Sequence, residues 1–362
     1  MSSRVFAPIK RALSPARLFH RSSMDALVRD SIRLVEAKKK GDVSWEVDKP
    51  SNQSYYSWRD GKWQASDPSS TDSQETSGGK SEVKSLALYS WNIDFMLPFP
   101  DSRMRAAICH LESEHIAKQD PSFATVIFLN ECLQSDLKLI AKDPWVRQTF
   151  QITDIDGTNW QSGHYGTMTL IDKRLPIESC FRVHYSKTRM ERDGLFVDIA
   201  LGTPGKPIRL CNTHLESLAF EPPFRPPQLA LCASYMHDNK AIHGAILAGD
   251  LNAIQDFDKH LHTDKHLKDA YLELGGREDD AEGGHTWGQQ AATVQRERFG
   301  TCRMDKVLYC GGVQCKTFEH FGAGIEVEEE GEREGIVKLG FDKPWITDHL
   351  GVKAVFELAD IA

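Results

Sequence analysis

From residue 83 to the end of the chain, short apolar runs of strand length alternate with amphipathic stretches of helical period. Strand patterns fall at 86–93, 124–129, 165–171, 195–201, 208–213, 245–248, 303–309 and 351–356. Helical patterns fall at 102–119, 135–141, 227–237 and 265–274. The first of these places Met104, Ile108, Leu111 and Ile116 on one face behind an Asp101 cap. Several strands in hairpin-like succession with helices between them predict two packed sheets flanked by helices. The mostly acidic run 326–334 reads as a solvated loop insertion.

The N-terminal part obeys other rules. Residues 1–23 carry Arg4, Lys10, Arg11, Arg17 and Arg21 and no acid, the composition of a disordered basic tail or of a mitochondrial transit peptide. Residues 24–40 read as an amphipathic helix ended by Lys38-Lys39-Lys40-Gly41. Within 44–64, Trp45, Tyr55, Tyr56, Trp58 and Trp63 surround the turn signal Asp60-Gly61, which predicts a small aromatic hairpin docked on the main domain. Residues 65–82 have linker composition, so the expected layout is tail 1–23, accessory segment 24–82 and catalytic domain 83–362.

Charge narrows the choice of partners. With 44 Lys+Arg against 52 Asp+Glu the formal net charge is −8, so any contact with nucleic acid must be a local patch. The 8 cysteines form no CxxC pair and several lie in apolar runs, which reads as reduced thiols in an intracellular compartment. No uncharged apolar run approaches the ~18 residues of a membrane span.

The candidate chemistry sits where strands end. Five signatures follow one another: Ser90-Trp91-Asn92-Ile93-Asp94, Asn130-Glu131, Asn212-Thr213-His214-Leu215-Glu216-Ser217, Gly249-Asp250-Leu251-Asn252 and Thr347-Asp348-His349. Side chains two apart on a strand share a face, so Asn92 with Asp94, and Asp250 with Asn252, each address one side. Cutting a phosphate ester with water takes a hard cation, a carboxylate for the water and donors for the crowded phosphoryl oxygens. Glu131 and Asp94 suit Mg²⁺, with Mn²⁺ as a substitute, and Asp250 suits the water. Asn92, Asn252, His214 and His349 suit the phosphate. Alone, each would be a turn former or a structural histidine; together they point to one catalytic site.

This ordered set resembles the endonuclease/exonuclease/phosphatase superfamily over residues 83–362. The resemblance implies an α/β (α+β) fold, a DNase I-like four-layer α/β/β/α sandwich with its site at the sheet edges. It further implies phosphate binding by Asn92, metal binding by Glu131, water activation by Asp250 with Asn252 as its partner, and a terminal pair Asp348-His349, with Asp348 on the metal side. Asp305 in Arg303-Met304-Asp305 matches the carboxylate that orients the last histidine. Trp91-Asn92-Ile93-Asp94, Thr213-His214-Leu215-Glu216-Ser217 and His285-Thr286-Trp287 look like the tyrosyl-DNA phosphodiesterase branch. On that likeness Ser217 is a further phosphate ligand and Trp287 a wall for a DNA end.

Three positions depart from the branch pattern: Asn130 replaces a Gln, Leu350 a Trp, and Ala253-Ile254 a Leu-Arg pair that would supply a DNA-backbone contact. The leading expectation is a Mg²⁺-dependent phosphodiesterase on a single-stranded or protein-blocked DNA 5′ end, monomeric and working in the nucleus or the mitochondrion. A phosphatase or phosphodiesterase on a small or lipid phosphate is the alternative, and a non-catalytic interaction module working through 44–64 is the second.

Overall fold

The computed structural model describes residues 15–66, 83–117, 120, 122–201, 206–238 and 241–358. The first fourteen residues of the basic tail and the expected linker from residue 67 onward lie outside them.

Fifteen strands and nine α-helices make up these residues. In chain order the strands are β1 (Pro50–Asn52), β2 (Tyr55–Arg59), β3 (Lys62–Ser66), β4 (Ser85–Asn92), β5 (Phe123–Leu133), β6 (Phe150–Ile152), β7 (Tyr165–Asp172) and β8 (Ile177–His184). They continue as β9 (Asp193–Ile199), β10 (Ile208–Thr213), β11 (Gly244–Asp250), β12 (Lys268–Asp269), β13 (Asp305–Gly311), β14 (Val313–Phe321) and β15 (Gly351–Leu358). The helices are α1 (Pro15–Lys38), α2 (Pro100–Ala117), α3 (Gln134–Lys142), α4 (Pro144–Thr149), α5 (Arg225–Met236), α6 (Leu261–Asp264), α7 (Ala270–Glu273), α8 (Thr293–Phe299) and α9 (Glu330–Val337).

One sheet runs β14-β15-β4-β5-β7-β6-β2-β3 and the other β1-β8-β9-β10-β11-β13-β12. Each is antiparallel except for one parallel pair, β4 with β5 and β10 with β11. Alternation along β4 shows why the sheets stack. Leu86 and Leu88 face the other sheet with Val126, Phe128, Val197, Leu210 and Ile246, whereas Tyr89 and Trp91 face helices with Met104, Ile108 and Leu111. A third apolar layer joins Phe196, Cys211 and Leu247 to Leu229, Cys232 and Met236 of α5. The order helices, sheet, sheet, helices is the expected sandwich.

The aromatic segment is part of the sheets. β2 and β3 pair around the Asp60-Gly61 turn and extend the eight-stranded sheet through β6, and β1 extends the other through β8. Arg147 covers the Trp58 ring at 4.0 Å and Trp45 stacks on His184 at 4.1 Å.

Two expected elements are corrected. The helix expected at 265–274 is replaced by β12 and the short α7, with α6 ending just before it at Asp264, because the Asp269 carboxylate, paired with buried Arg303 at 2.8 Å, accepts from the amides of Tyr271 and Leu272 and starts a new turn there. The acidic run contains α9, whose Glu330 and Glu332 lie in the first turn, where carboxylates suit the helix dipole, while Ile336 is buried. Strands β8 and β14 carry too many polar positions to read as apolar runs. Arg182 of β8 is buried because it bonds Asp154, Asp193, Gln53 and Thr167.

Candidate active site

The C-terminal ends of the parallel pairs β4/β5 and β10/β11 and the beginnings of antiparallel β13 and β15 lie at one edge of the sandwich. Register sets neighbours there directly: Asn92 opposes Asn130, and Asp250 opposes Asp305. A bulge in β5 between Leu129 and Cys132 re-aims Glu131. Glu131, Asp94 and Asn252 all occupy left-handed backbone, with φ of 59°, 55° and 48°. Non-glycine residues in that region carry strain, which the surrounding bonds must hold in place.

Asp250 is the hub. Its Oδ2 accepts from Asn92 Nδ2 at 3.0 Å and faces His214 Nε2 at 3.3 Å and His349 Nε2 at 3.7 Å. Its Oδ1 accepts from the Asn252 amide at 2.8 Å, and its own amide donates to Asn130 Oδ1 at 2.9 Å. Asn130 in turn donates to Asn212 Oδ1 at 2.8 Å, so two buried amides tie β5 to β10 beneath the site. Burial works against the Asp250 charge, yet His214, His349 and these donors outweigh it and hold the carboxyl well below its usual range.

The two histidines differ. His349 Nδ1 bonds Asp305 Oδ2 at 2.8 Å while Nε2 faces Asp250, so despite burial the carboxylates around it raise its pKa well above the ordinary value and favour imidazolium. His214 is lowered by burial and by Arg192, whose Nη1 donates to His214 Nδ1 at 2.5 Å. An accepting Nδ1 places the ring proton on Nε2, where it donates toward Asp250. Arg192 also reaches Ser217 Oγ at 3.3 Å and lies over the Tyr165 ring at 5.2 Å.

The remaining carboxylates gather beside this hub. The Phe95 amide donates to Glu131 Oε2 at 3.0 Å, Glu131 Oε1 stands 3.7 Å from His214 Nδ1, and Asp348 Oδ1 stands 3.8 Å from His349 Nε2. Burial and the Asp348 charge push Asp94 up to about 7, and burial with the Asp94 charge raises Glu131. Burial and the Glu131 charge likewise raise Asp348, so all three oxygen donors are raised in part by a neighbour's charge, and a hard divalent cation, which takes such donors, would relieve that repulsion. Among the described residues, the three acidic or histidine side chains whose ligand atoms all lie within 4.8 Å of one another are instead Asp250, Asp305 and His349. Both nitrogens of that imidazole already face carboxylates, so this cluster is an ion pair rather than a cation cage.

The structure thus brings Asn92, Asp94, Glu131, His214, Asp250, Asn252, Asp305, Asp348 and His349 together, with Ser217 at the margin. Trp287 lies at the site too: it is 9% exposed, and its indole Nε1 donates to Asp348 Oδ2 at 2.6 Å. Sequence reasoning missed Arg192 and Arg103. Arg103 is buried in α2, and its five N–H groups go to the carbonyls of Ile93, Asp94, Leu97, Pro98 and Ile346. Neither belongs to a motif; the only signal was an arginine next to otherwise core-facing positions.

Residues 89–349 match the Endonuclease/Exonuclease/phosphatase family, well over half of the chain, and the protein belongs to that family. Its fold is shared with a truncated Caenorhabditis elegans TDP2 (22% identity over 75% of this chain and 97% of that one, TM-score 0.55). It is shared equally with D. rerio TDP2 complexed with a single strand DNA product (19% identity, 75% and 99% coverage, TM-score 0.56). The human Nocturnin catalytic domain, solved with a bound sulfate anion, has the same architecture at 15% identity, 76% and 95% coverage and TM-score 0.50. Comparison with curated protein sequences found no match.

Proposed function

We propose that the protein is a divalent-metal-dependent phosphodiesterase that hydrolyses a phosphate ester at a DNA 5′ end, as a 5′-tyrosyl-DNA phosphodiesterase would. The observation that carries this reading is the Asp250 hub, where one ionised carboxylate is held by Asn92, His214, Asn252 and His349 beside the acidic trio Asp94, Glu131 and Asp348. Asp250 orients the attacking water and accepts its proton as the new oxygen–phosphorus bond forms and the bond from phosphorus to the tyrosyl oxygen breaks, the phenoxide leaving to be protonated by solvent. Asn92 Nδ2 and the His349 imidazolium donate to phosphoryl oxygens as charge builds there, and Asp305 holds the imidazole in that orientation. Neutral His214, fixed by Arg192, adds a third donor, and Ser217 a fourth at the rim. Asp94, Glu131 and Asp348 would hold Mg²⁺ or Mn²⁺, which supplies charge neutralisation on the phosphoryl group.

A DNA 5′ end is supported by the single-stranded product in the D. rerio relative. Action as a monomer in the nucleus or the mitochondrion suits such a substrate, and no helix among the described residues is long and apolar enough to cross a membrane. One observation favours a second reading, a small or lipid phosphate ester: Trp287, the expected wall for a DNA end, is 9% exposed.

The test is hydrolysis by the purified full chain with Mg²⁺ of a 5′-tyrosyl oligonucleotide, a plain single strand and a phosphoinositide panel. Preference for the tyrosyl substrate, abolished by EDTA and restored by Mg²⁺ or Mn²⁺, is expected, and Glu131→Gln should lower both rate and metal dependence. Phosphoinositide turnover without cleavage of DNA would establish the second reading. Full activity in excess EDTA would remove the metal.

A further inference from the structure

Next to the site a loop carries two half-buried aromatic rings. Residues 216–225 leave the His214 motif and return to α5, and Arg225, which is buried, clamps both ends. Its Nη1 donates to the carbonyls of Glu216 at 3.1 Å and Leu218 at 2.7 Å, and its other nitrogens hold Asp258 at 2.9 and 2.7 Å. On this fixed base Phe220 and Phe224 meet edge to face at 5.4 Å, and the Arg189 guanidinium covers them at 4.7 and 5.7 Å. Neither ring joins an apolar core among the described residues, and neighbouring Leu218 is 55% exposed.

The group is joined to the site. The Glu216 carboxylate accepts from the Arg189 amide at 2.9 Å and from Thr188 Oγ1 at 2.6 Å, and the next residue, Ser217, accepts from Arg192. Arg189 is exposed and has no ion-pair partner among the described residues; Lys187 adds a second exposed cation and Glu221 one exposed acid. Half-buried phenyl rings meeting edge to face beside an exposed guanidinium, on a loop held by a buried ion pair, offer aromatic and cationic contacts for the bases and phosphates of a single strand.

Building on the phosphodiesterase reading, we infer that Phe220, Phe224 and Arg189 form the platform on which the nucleobase next to the scissile phosphate stacks. On this assignment the platform takes the place of the buried Trp287 and is the local cationic patch that a chain of net charge −8 needs.

The test pairs a platform variant with a substrate variant. Wild type and the double variant Phe220→Leu/Phe224→Leu, with Mg²⁺, are given a 5′-tyrosyl oligonucleotide, the same strand with an abasic 5′-terminal residue, and bis(p-nitrophenyl) phosphate. Wild type should prefer the base-bearing strand on the order of tenfold in kcat/KM, through KM. The double variant should lose that preference and keep its rate on the nitrophenyl ester within about twofold of wild type. Arg189→Gln should flatten the salt dependence by about 0.7 in the log–log slope, the release expected for one phosphate of a single strand. Retained base preference in the double variant, or equal losses on all three substrates, would overturn the assignment. If wild type cleaves no DNA ester, the proposed activity fails instead, and fluorescence anisotropy with the two strands then decides the platform. Affinity that depends on both the base and the phenyl rings upholds it, and affinity indifferent to them refutes it.

Discussion

Removing the fork of Arg103 gives the sharpest test of how the site is held. All five N–H groups of its guanidinium go to main-chain carbonyls, between 2.5 and 2.9 Å. Four of the acceptors lie in 93–98, the turn that carries Asp94, and the fifth is Ile346, two residues before Asp348. Lysine offers three donors, so Arg103→Lys leaves at least two buried carbonyls unpaired at about 1–3 kcal/mol each. Arg103→Met strands all five. Local relaxation and entering water reduce the sum, and the lost desolvation penalty of the charge reduces it further, which leaves about 3–5 kcal/mol. Urea denaturation of the full chain should therefore place Lys about 2–4 kcal/mol below wild type and Met lower still. Because the bonds join the Asp94 turn to the segment before Asp348, kcat should fall even where the variant is fully folded. An Arg103→Lys protein within about 0.5 kcal/mol of wild type, with normal turnover, would refute the argument.

Three other outcomes are expected. Asp250→Asn keeps shape and removes the charge, so turnover should drop by about 10² to 10⁴ with substrate affinity largely kept, as read by steady-state kinetics. Trp287→Phe should slow nitrophenyl and oligonucleotide esters alike, because it frees Asp348 from a 2.6 Å bond rather than removing a base contact; a loss confined to the oligonucleotide would establish the stacking role. Burial lifts Asp136 to about 6 from 3.8, so between those values the folded state binds more protons than the unfolded one and stability falls as pH rises. Asp136→Asn can still accept from the Leu133 amide, and should be the more stable protein at pH 7 by about 1–3 kcal/mol with no advantage near pH 4, as measured by urea melts at both.

What the sequence revealed was what short-range order controls. A strand that alternates Leu86, Leu88 against Tyr89, Trp91 must bury both faces, and a polar signature at its end must emerge at an edge, so the convergence of Asn92, Glu131, Asp250 and His349 was legible. Arg103 was not, because its acceptors are main-chain carbonyls, which no side-chain pattern marks, and Arg192 and Arg182 were not, because their partners come from other strands and turns. The bond from the Trp287 indole to Asp348, 61 residues away, was hidden for the same reason. The break at Asp269 depends on Arg303, which no local propensity reveals.

β15, the last strand among the described residues, lies inside its sheet, between β14 and β4, the first strand described after residue 83. Asp348 and His349 immediately precede it. Pairings of such sequence separation form late and slowly. During synthesis, then, the eight-stranded sheet stays open along β4 until residues 351–358 have left the ribosome, and the terminal Asp-His pair cannot settle before that. The proposed hydrolysis therefore has to wait for β15, and a chain terminated before it would be born inert rather than as an unregulated fragment.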